Sequence, residues 1–295
     1  MPIQPATPEH LPAIQSLLAR AATRFVQFGQ EDLPDLLQGS ICQIGVTDDR
    51  RERLWGFAAI QLEPRPATLP VSAPNRAYLR GIVLAVRRSP TVDTAALVTA
   101  GMKRLRALGQ PTTVIAQGQE RWLNPALTPF GFTEIDQVRY YQYTASADPA
   151  APSPAQLVGV TPQDLFRLAQ LDAETFPPVW HMGEGELAGL LFTSHMRMAW
   201  DGDRPVGYAA LRLGGGYEAG RRSAFLNRLA VHPSAQGRGI GRQLLADAIA
   251  HAHSQQHSSI FLNTQVSNKQ SQRLYEGMGF RPSGQVYKVF TAQVP

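Results

Sequence analysis

Three glycines within five residues form the stretch of this chain best suited to chemistry. They lie in the run Gln236-Gly237-Arg238-Gly239-Ile240-Gly241, and glycine lets a backbone turn tightly and present consecutive N–H groups. Apolar residues 224–231 before the run predict a strand, and the apolar period of residues 240–252 after it predicts a helix. A glycine turn that opens onto a helix N-terminus is an anion site, because unpaired N–H groups and the helix dipole both favour negative charge. The run therefore predicts a phosphate-bearing cofactor.

The composition excludes several other classes of protein. The chain has 295 residues, 43% of them hydrophobic, which suits two packed domains of about 150 residues. The net charge is +5 without any run of Lys or Arg longer than two, and Cys42 is the only cysteine. A nucleic-acid-binding arm, an internal disulfide and a multi-cysteine metal site are therefore not expected. Because the chain shows neither a signal-peptide pattern nor an apolar run of ~18 residues, we expect a soluble cytoplasmic protein with no metal, no nucleic acid and no membrane among its partners.

The sequence repeats itself on either side of a linker. Residues 145–156 are rich in Ala, Ser, Pro and Asp and have no hydrophobic period, which is typical of a linker. Paired signals recur in the same order before and after it: Thr7-Pro8 and Thr161-Pro162, Gly56-Phe57-Ala58-Ala59 and Gly207-Tyr208-Ala209-Ala210, Ala77-Tyr78-Leu79 and Ala224-Phe225-Leu226, Gly131-Phe132 and Gly279-Phe280. These matches predict a duplicated fold, with one domain over residues 1–145, a linker over 146–156 and a second domain over 157–295.

Each half predicts the same order of elements: a strand, a helix, a pair of strands, a longer strand, a helix, a strand, a helix and a last strand. This order is typical of an α+β fold (three-layer α/β) in which helices flank a mixed, mostly antiparallel sheet. The halves differ where the glycine turn lies, because the corresponding residues 89–94 contain no glycine and add Asp93, whose carboxylate would repel phosphate. We interpret the first half as a degenerate copy with structural or acceptor-side duties.

Two common phosphate-binding loops do not fit the glycine turn. A P-loop needs Gly-Lys-Ser/Thr at its end, whereas Gly241 is followed by Arg242 and Gln243. A dinucleotide fingerprint counted from Gly237 would need glycine at Arg242. It also needs a ribose-binding carboxylate further on, where residues 260–263 read Ile-Phe-Leu-Asn.

A third kind of loop does fit. The pattern Gln236-x-x-Gly239-x-Gly241 resembles the acyl-CoA-binding motif of the GNAT superfamily of N-acetyltransferases. A second motif, in which Asn268 leads into Leu274-Tyr275 and then Gly279-Phe280, is similar to that family's tyrosine-bearing helix. The close resemblance covers roughly residues 206–290, and over the first half it is only architectural. Tandem GNAT proteins with one worn copy, such as mycothiol synthases, have this layout.

The resemblance implies a set of site residues for acetyl-CoA as co-substrate. Backbone N–H groups of the turn would hold the pyrophosphate, and its two arginines would add positive charge. The end of the preceding strand would pair with the pantetheine arm, an asparagine would hydrogen-bond that arm, and a tyrosine would protonate the leaving thiolate. The implied cofactor-binding residues are Leu229, Ala230, Val231, Gln236, Gly237, Arg238, Gly239, Ile240, Gly241, Arg242 and Asn268, and the implied catalytic residue is Tyr275.

The first half lacks both side-chain roles. At the offset of 148, Leu127 stands at the position of Tyr275, and Glu120 stands at the position of Asn268. This difference favours a single active site in the second half.

The general base is not settled by the motifs. The strands before the turn and before the tyrosine helix offer Phe225, Asn227 and Asn263, none of which is a base. Water chains are one alternative. The others are His181, Glu184 and Glu186, because the helical region after the first strand frames the acceptor in this family.

Each of these assignments has a plainer alternative. The glycines could make only a tight turn, Tyr275 could be a core residue, and Asn268 could be only a helix N-cap. His251, His253 and His257 are interpreted as a solvated helix face rather than a metal site. Residues 176–180, Phe-Pro-Pro-Val-Trp, either line the acceptor cleft or form a rigid loop.

The sequence thus predicts an acyl-CoA N-acyltransferase. The expected reaction transfers acetyl from acetyl-CoA to a primary amine, either of a small molecule or of a peptide N-terminus, by direct attack in a ternary complex. The alternative is a non-catalytic acyl-CoA-binding sensor or interaction module.

Overall fold

A computed structural model of the chain describes residues 2–47, 53–143, 155–214 and 222–295. Of the predicted linker, residues 146–154 lie outside the described residues, and Gln156 begins a strand. None of the described helices is long and apolar enough to cross a membrane.

The described chain forms two compact units that differ from the two sequence halves. Unit 1 contains Met1–Pro64, Pro74–Gln137 and Tyr287–Pro295, and unit 2 contains Arg65–Ala73 and Val138–Val286. Each unit takes the last strand of its sheet from the other half of the sequence. The compact units include strands from both halves of the sequence, so their bounds differ from those of the sequence repeat. The domain boundaries inferred from the linker stay a prediction.

Unit 1 is a mixed sheet with helices on it. Its strands are β1 (Ile3–Pro5), β2 (Thr23–Val26), β3 (Ile41–Val46), β4 (Leu54–Leu62), β5 (Asn75–Leu84), β6 (Thr112–Gly118) and the beginning of β7 (Thr133–Tyr143), and its helices are α1 (Leu11–Arg20), α2 (Leu33–Gly39), α3 (Val92–Arg106) and α4 (Leu123–Leu127). The main ladder runs β1-β3-β4-β5-β6 and ends with residues 288–294 of the C-terminal strand, which pair antiparallel with β6. Among the strand pairs described for this unit, β5–β6 alone is parallel, and β2 pairs with β5 beside it.

Unit 2 repeats this arrangement. Its strands are β8 (Gln156–Gly159), β9 (Ser194–Asp201), β10 (Arg204–Leu213), β11 (Ser223–Val231), β12 (Ser259–Gln265) and the beginning of β13 (Phe280–Val294), and its helices are α5 (Leu165–Thr175), α6 (Glu184–Thr193), α7 (Ile240–Ser254) and α8 (Lys269–Gly277). The ladder runs β8-β9-β10-β11-β12 and ends with residues 138–142 of β7, which pair antiparallel with β12. In the described part of this unit, β11–β12 is the one parallel pair.

Alternation along one strand explains the three layers of unit 2. Successive side chains of a strand point to opposite faces of its sheet. Ala209 and Leu211 of β10 belong to the core that includes the apolar side of α7, whereas Tyr208 and Ala210 belong to the core that includes Leu168 of α5. The sheet is therefore covered by helices on both faces, as the pattern of the sequence predicts.

The predicted threonine caps are present at the start of both units. Thr7 and Thr161 are extended, and each is followed by proline at the first position of a short 3₁₀ turn that leads into a helix. The Asp164 carboxylate accepts hydrogen bonds from the backbone N–H and the hydroxyl of Thr161, at 2.9 and 2.7 Å. These local signals fix where α1 and α5 begin.

Candidate active site in unit 2

The site begins where two parallel strands separate. β11 and β12 pair only from Ser223 with Ser259 to Leu226 with Leu262. Asn227 then forms a β-bulge, because Ala210 of β10 pairs with Arg228 and Leu211 pairs with Leu226. A bulge bends its strand. Residues 228–231 consequently have β10 on one edge, and no described strand pairs with their other edge.

The separation creates a small cleft. Its volume is about 60 Å³. It is lined by Phe176, Leu226, Asn227, Arg228, Leu229, Asn263, Thr264, Gln265, Asn268, Ser271 and Tyr275. Three residues predicted from two separate motifs, Leu229, Asn268 and Tyr275, therefore meet around one space. The lining residues, all within the described chain, include neither a carboxylate nor a histidine.

Asn227 presents an unsatisfied acceptor at this cleft. Its side-chain Oδ1 is buried and accepts no hydrogen bond from any described residue. Buried polar atoms in proteins nearly always have a partner. The N–H group of a bound ligand would supply one.

The glycine turn has the conformation of an anion-binding loop. Gly237 and Gly239 have φ angles of 76° and 87°, a left-handed region that glycine occupies without steric cost. Gly239 is the N-cap of α7, and none of the described side chains caps that helix. A Cβ at Gly241 would lie 3.3 Å from Cδ2 of Leu274 and 3.5 Å from Cγ2 of Val231, so glycine lets the first turn of α7 approach β11 and α8 closely. The exposed start of α7 is thus available to an anion.

The two arginines of the turn differ in their surroundings. Arg238 Nη1 lies 2.6 Å from Oδ2 of Asp201, and about two fifths of each side chain is exposed. Arg242, in the first turn of α7, is exposed. A phosphate at the turn would compete with Asp201 for Arg238, whereas no described residue forms an ion pair with Arg242. The Gln236 side chain donates to the carbonyl of Val231 at 3.0 Å and braces the turn against the end of β11.

Tyr275 combines burial with access to the cleft. The residue is 5% exposed, and its ring packs 6.2 Å from that of Tyr141 and 6.1 Å from that of Phe280. Burial raises the pKa of its phenol to about 12, although a hydrogen bond with Ser271 and the charge of Arg228 oppose that rise. The hydroxyl is therefore protonated across the physiological range and can act as a proton donor, but not as a base.

Asn268 has the structural role that its plainer alternative describes. It is the N-cap of α8, and its side-chain oxygen accepts a hydrogen bond from the N–H of Ser271 at 3.0 Å. It also lines the cleft. Capping uses the carbonyl oxygen, so the amide group can still donate to a ligand, and the two roles are compatible.

None of the three candidate bases lines the cleft. His181 is buried, and its Nε2 lies 2.7 Å from the carbonyl oxygen of Phe176. The Glu186 carboxylate accepts a hydrogen bond from the N–H of Gly183 at 3.0 Å and so caps α6, and Glu184 is exposed in the first turn of that helix. His181 and Glu186 thus make contacts within their own segment, and the structure brings none of the three candidates to the cleft.

A buried ionic network beside the cleft was not anticipated. Asp172 of α5 is fully buried and accepts hydrogen bonds from Arg228 of β11, from the Tyr208 hydroxyl at 2.5 Å and from the N–H of Met182 at 2.7 Å. Burial raises the pKa of Tyr208 well above its ordinary value. The signal available in the sequence was a charged residue at an apolar position of α5, since Asp172 lies with Leu168, Ala169 and Leu171 on the buried side of that helix.

The three histidines near the end of α7 are not a purely solvated face. His251 stacks on His195 with ring centroids 3.6 Å apart, His253 packs on Tyr143 at 5.8 Å, and His257 Nδ1 lies 3.0 Å from the carbonyl oxygen of Ser223. Each is half-buried against a different partner. Among the described residues, no group of three or more His, Cys, Asp or Glu could hold a metal ion.

The corresponding cleft of unit 1 is occupied by the chain itself. β5 and β6 pair from Asn75 with Thr112 to Tyr78 with Ile115, and a bulge at Arg80 follows, since Ala59 pairs with Gly81 and Ile60 with Leu79. At the offset of 147, Arg80 corresponds to Asn227. Strand β2 then pairs antiparallel with residues 81–84 of β5, which correspond to residues 228–231 of β11. A strand of unit 1 thus lies on the edge that is open in unit 2.

The turn of unit 1 is likewise satisfied internally. Asp93 Oδ2 accepts a hydrogen bond from the N–H of Ser89 at 2.7 Å, and the Asp93 carboxylate forms an ion pair with Arg88. Leu127, at the position of Tyr275, is fully buried, and the Glu120 carboxylate accepts from the N–H of Gln119 at 3.0 Å. A carboxylate of the protein therefore occupies the start of α3, where phosphate would lie.

Comparison with known proteins finds relatives that match part of the chain. Residues 165–280 match the sequence model described as the Acetyltransferase (GNAT) family. A stretch of 91 residues, 31% of this chain, is 32% identical to N-acetyltransferase 8B of Mus musculus and covers 39% of it. A stretch of 213 residues, 66% of this chain, is 29% identical to an uncharacterized protein of Mycobacterium leprae (strain TN) and covers 55% of it. The chain thus spans about half the length, or less, of these curated relatives.

A solved structure shares the fold along the whole chain. The tandem GNAT protein from the clavulanic acid biosynthesis pathway superposes with a TM-score of 0.66 at 16% identity, covering 100% of this chain and 98% of that one. Similarity at this level of identity shows the fold. The predicted α+β fold with two tandem GNAT-like domains is therefore confirmed.

Proposed function

We propose that the chain is an acyl-CoA-dependent N-acyltransferase, because residues 165–280 match the sequence model described as the Acetyltransferase (GNAT) family. Its donor is acetyl-CoA, and its acceptor is a primary amine of a small molecule or a peptide N-terminus. One observation carries the proposal: residues of two separate motifs meet at the cleft where β11 and β12 separate.

The donor would lie along the open edge of β11. The pyrophosphate would bind the N–H groups of residues 237–241 at the start of α7, with the charge of Arg242 beside it. The pantetheine arm would pair with residues 229–231 as an added strand, because that edge has no partner among the described strands. The arm would then reach the bulge at Asn227, where the buried Oδ1 awaits an N–H donor.

The chemistry would occur at the end of the cleft beside Tyr275. The uncharged amine attacks the thioester carbonyl carbon, a C–N bond forms and the C–S bond breaks. The Tyr275 hydroxyl protonates the departing thiolate, and the proton that the amine nitrogen loses returns to the phenolate through water. A pKa of about 12 keeps the phenol protonated before each turnover. The products are the amide and free CoA.

Calorimetric titration with acetyl-CoA tests the donor site. Replacing Gly239→Asp and Gly241→Asp together should abolish measurable binding, because each change adds negative charge at the anion site and Gly239 has a φ of 87°. The matched control is Gly109→Asp, an exposed glycine of unit 1 with a φ of 67° and open space around it, which should bind like the wild type. Equal affinity in the wild type and the double variant would refute the donor assignment.

A non-catalytic acyl-CoA sensor is the second candidate. It is favoured by the lining of the cleft, whose described residues include neither a carboxylate nor a histidine to accept the amine proton. Release of CoA should be measured with a broad panel of amines and N-terminal peptides. Release with any of them supports the enzyme, and binding without release on all of them supports the sensor.

A further inference from the structure

We propose that Arg228 is a positioning residue. It fixes the position of Phe176, which forms the acceptor wall of the cleft, relative to β11, the strand that would bind the donor. The inference rests on the proposed function. Arg228 follows the bulge residue Asn227 and precedes Leu229, so it lies on the strand that would carry the donor. Its guanidinium reaches Phe176, which among the described lining residues is the one that lies outside β11, β12 and α8 with its N-cap.

The guanidinium is held by one fully buried carboxylate. Arg228 Nε donates to Asp172 Oδ2 and Nη2 donates to Oδ1, both at 2.8 Å, which is the planar two-bond geometry of a strong arginine–carboxylate pair. The Arg228 side chain is 11% exposed and that of Asp172 is 0% exposed. The Tyr208 hydroxyl donates to the same carboxylate at 2.5 Å. The pair is therefore fixed from β10, β11 and α5 together.

The same pair fastens the segment of residues 176–182 at three points. The guanidinium lies over the Phe176 ring, 3.6 Å from its centroid. Arg228 Nη2 donates to the carbonyl oxygen of Trp180 at 2.6 Å, and Asp172 Oδ1 accepts from the N–H of Met182 at 2.7 Å. Because Phe176 lines the cleft, the position of this wall depends on the ion pair.

Stability alone does not explain such a pair. Removing two charges from water is costly, and replacing a buried ion pair by apolar residues is often neutral or stabilising. What an apolar replacement could not provide is the hydrogen bonds to the backbone of Trp180 and Met182. The network therefore holds residues 176–182 at fixed distances from β11.

Loss of the ion pair should affect the reaction with the acceptor and not the binding of the donor. The donor contacts proposed above use the backbone of residues 229–231 and the turn at residues 237–241, none of which needs the Arg228 side chain. An acceptor that reaches the cleft past Phe176 would meet a displaced wall if the pair were lost. Small misplacement of reacting groups can lower rates by about 10²-fold.

The test compares Arg228→Gln and Arg228→Lys with the wild type, using the amine that gives the most CoA release. We expect kcat/KM for the amine to fall roughly 10²-fold in Arg228→Gln, with the calorimetric Kd for acetyl-CoA nearly unchanged. Arg228→Lys keeps the charge but loses the two-bond geometry, so we expect an intermediate loss. The matched control is Arg76→Gln in unit 1, which breaks another buried ion pair, Arg76 with Glu63 at 2.6 Å, and should keep kcat/KM close to that of the wild type.

A second measurement does not depend on activity. Amide hydrogen exchange of residues 179–183 should accelerate in Arg228→Gln and stay slow in Arg76→Gln. The positioning role would be overturned if kcat/KM in Arg228→Gln equals that of the wild type. It would also be overturned if kcat/KM and the affinity for acetyl-CoA fall in parallel. If none of the amines causes the wild type to release CoA, the proposed function fails. Unchanged amide exchange in Arg228→Gln would then overturn the positioning role separately.

Discussion

Val26 pairs with Gly81 across an antiparallel ladder and thereby closes in unit 1 the strand edge that is open in unit 2. Gly81 corresponds to Arg228 at the offset of 147, and each residue directly follows a bulge. Phe25, beside Val26, is buried in the core of unit 1 and anchors the closing strand. The two units thus have the same fold, but one of them fills its cleft with its own backbone.

This difference predicts that the chain binds a single molecule of acetyl-CoA. The edge at residues 81–84 is paired by β2, and the start of α3 holds the Asp93 carboxylate. Both features compete with a donor in unit 1. Calorimetry or equilibrium dialysis should give a stoichiometry of one per chain, and a second site of comparable affinity would contradict the comparison of the two units.

Loss of the Tyr275 hydroxyl should affect turnover and not donor binding. For Tyr275→Phe we expect kcat to fall roughly 10²-fold with an unchanged Kd for acetyl-CoA, because the ring still packs between Tyr141 and Phe280. Tyr143→Phe is the matched control, since Tyr143 is 4% exposed in the same core and does not line the cleft. Unchanged kcat in Tyr275→Phe would remove this residue from the mechanism.

The pH dependence should follow the acceptor rather than the protein. The described lining of the cleft contains neither a carboxylate nor a histidine that could accept a proton. The ammonium form of the acceptor must therefore lose its proton to water before the amine attacks. We expect kcat/KM to rise with pH up to the pKa of the amine, about 7.7–8.0 for a peptide N-terminus and about 10.4 for a lysine-type amine. Burial raises the pKa of Tyr275 to about 12, so its deprotonation should cause no fall in rate at neutral or mildly alkaline pH. The same rising limb with acceptors of different pKa would instead reveal a base on the protein.

Strand exchange predicts that the second sequence half does not fold alone. A fragment of residues 157–295 would lack residues 138–142, which pair with β12, and the Tyr141 ring, which packs on Tyr275. It would also lack Arg65–Ala73, whose Pro66 lies so close to Gly183 that an added Cβ would be 2.9 Å away. Urea unfolding followed by circular dichroism should show no cooperative transition for this fragment. A cooperative transition together with acetyl-CoA binding would contradict the prediction.

Cys42 should report the unfolding of unit 1. It is fully buried in β3, and burial raises the pKa of its thiol to about 12, although the charge of Arg104 opposes the rise. The native thiol is therefore both inaccessible and protonated, and only the thiolate reacts readily. A thiol reagent should label the chain in denaturant and not in buffer at neutral pH. Fast labelling of the native protein would show that β3 opens.

Much of the local geometry of the proposed donor site could be predicted from the sequence, because its determinants lie close together along the chain. A left-handed φ at Gly237 and Gly239, the N-cap at Asn268 and the helical spacing that presents Tyr275 each depend on neighbours within a few residues. The acceptor side could not be predicted in this way. Asp172 and Arg228 are separated by 56 positions and meet only after α5 packs on the sheet.

The sequence by itself determined the fold class, the repeat and the glycine turn, because periodicity, capping residues and backbone freedom act over short distances along the chain. The tertiary structure decided which strands complete which sheet, since residues 138–142 pair with β12 and residues 288–294 pair with β6. It also decided that one cleft is open and the other is closed by β2. Strand pairing joins residues of any separation, and each strand offers the same backbone groups, so no local pattern specifies these partners.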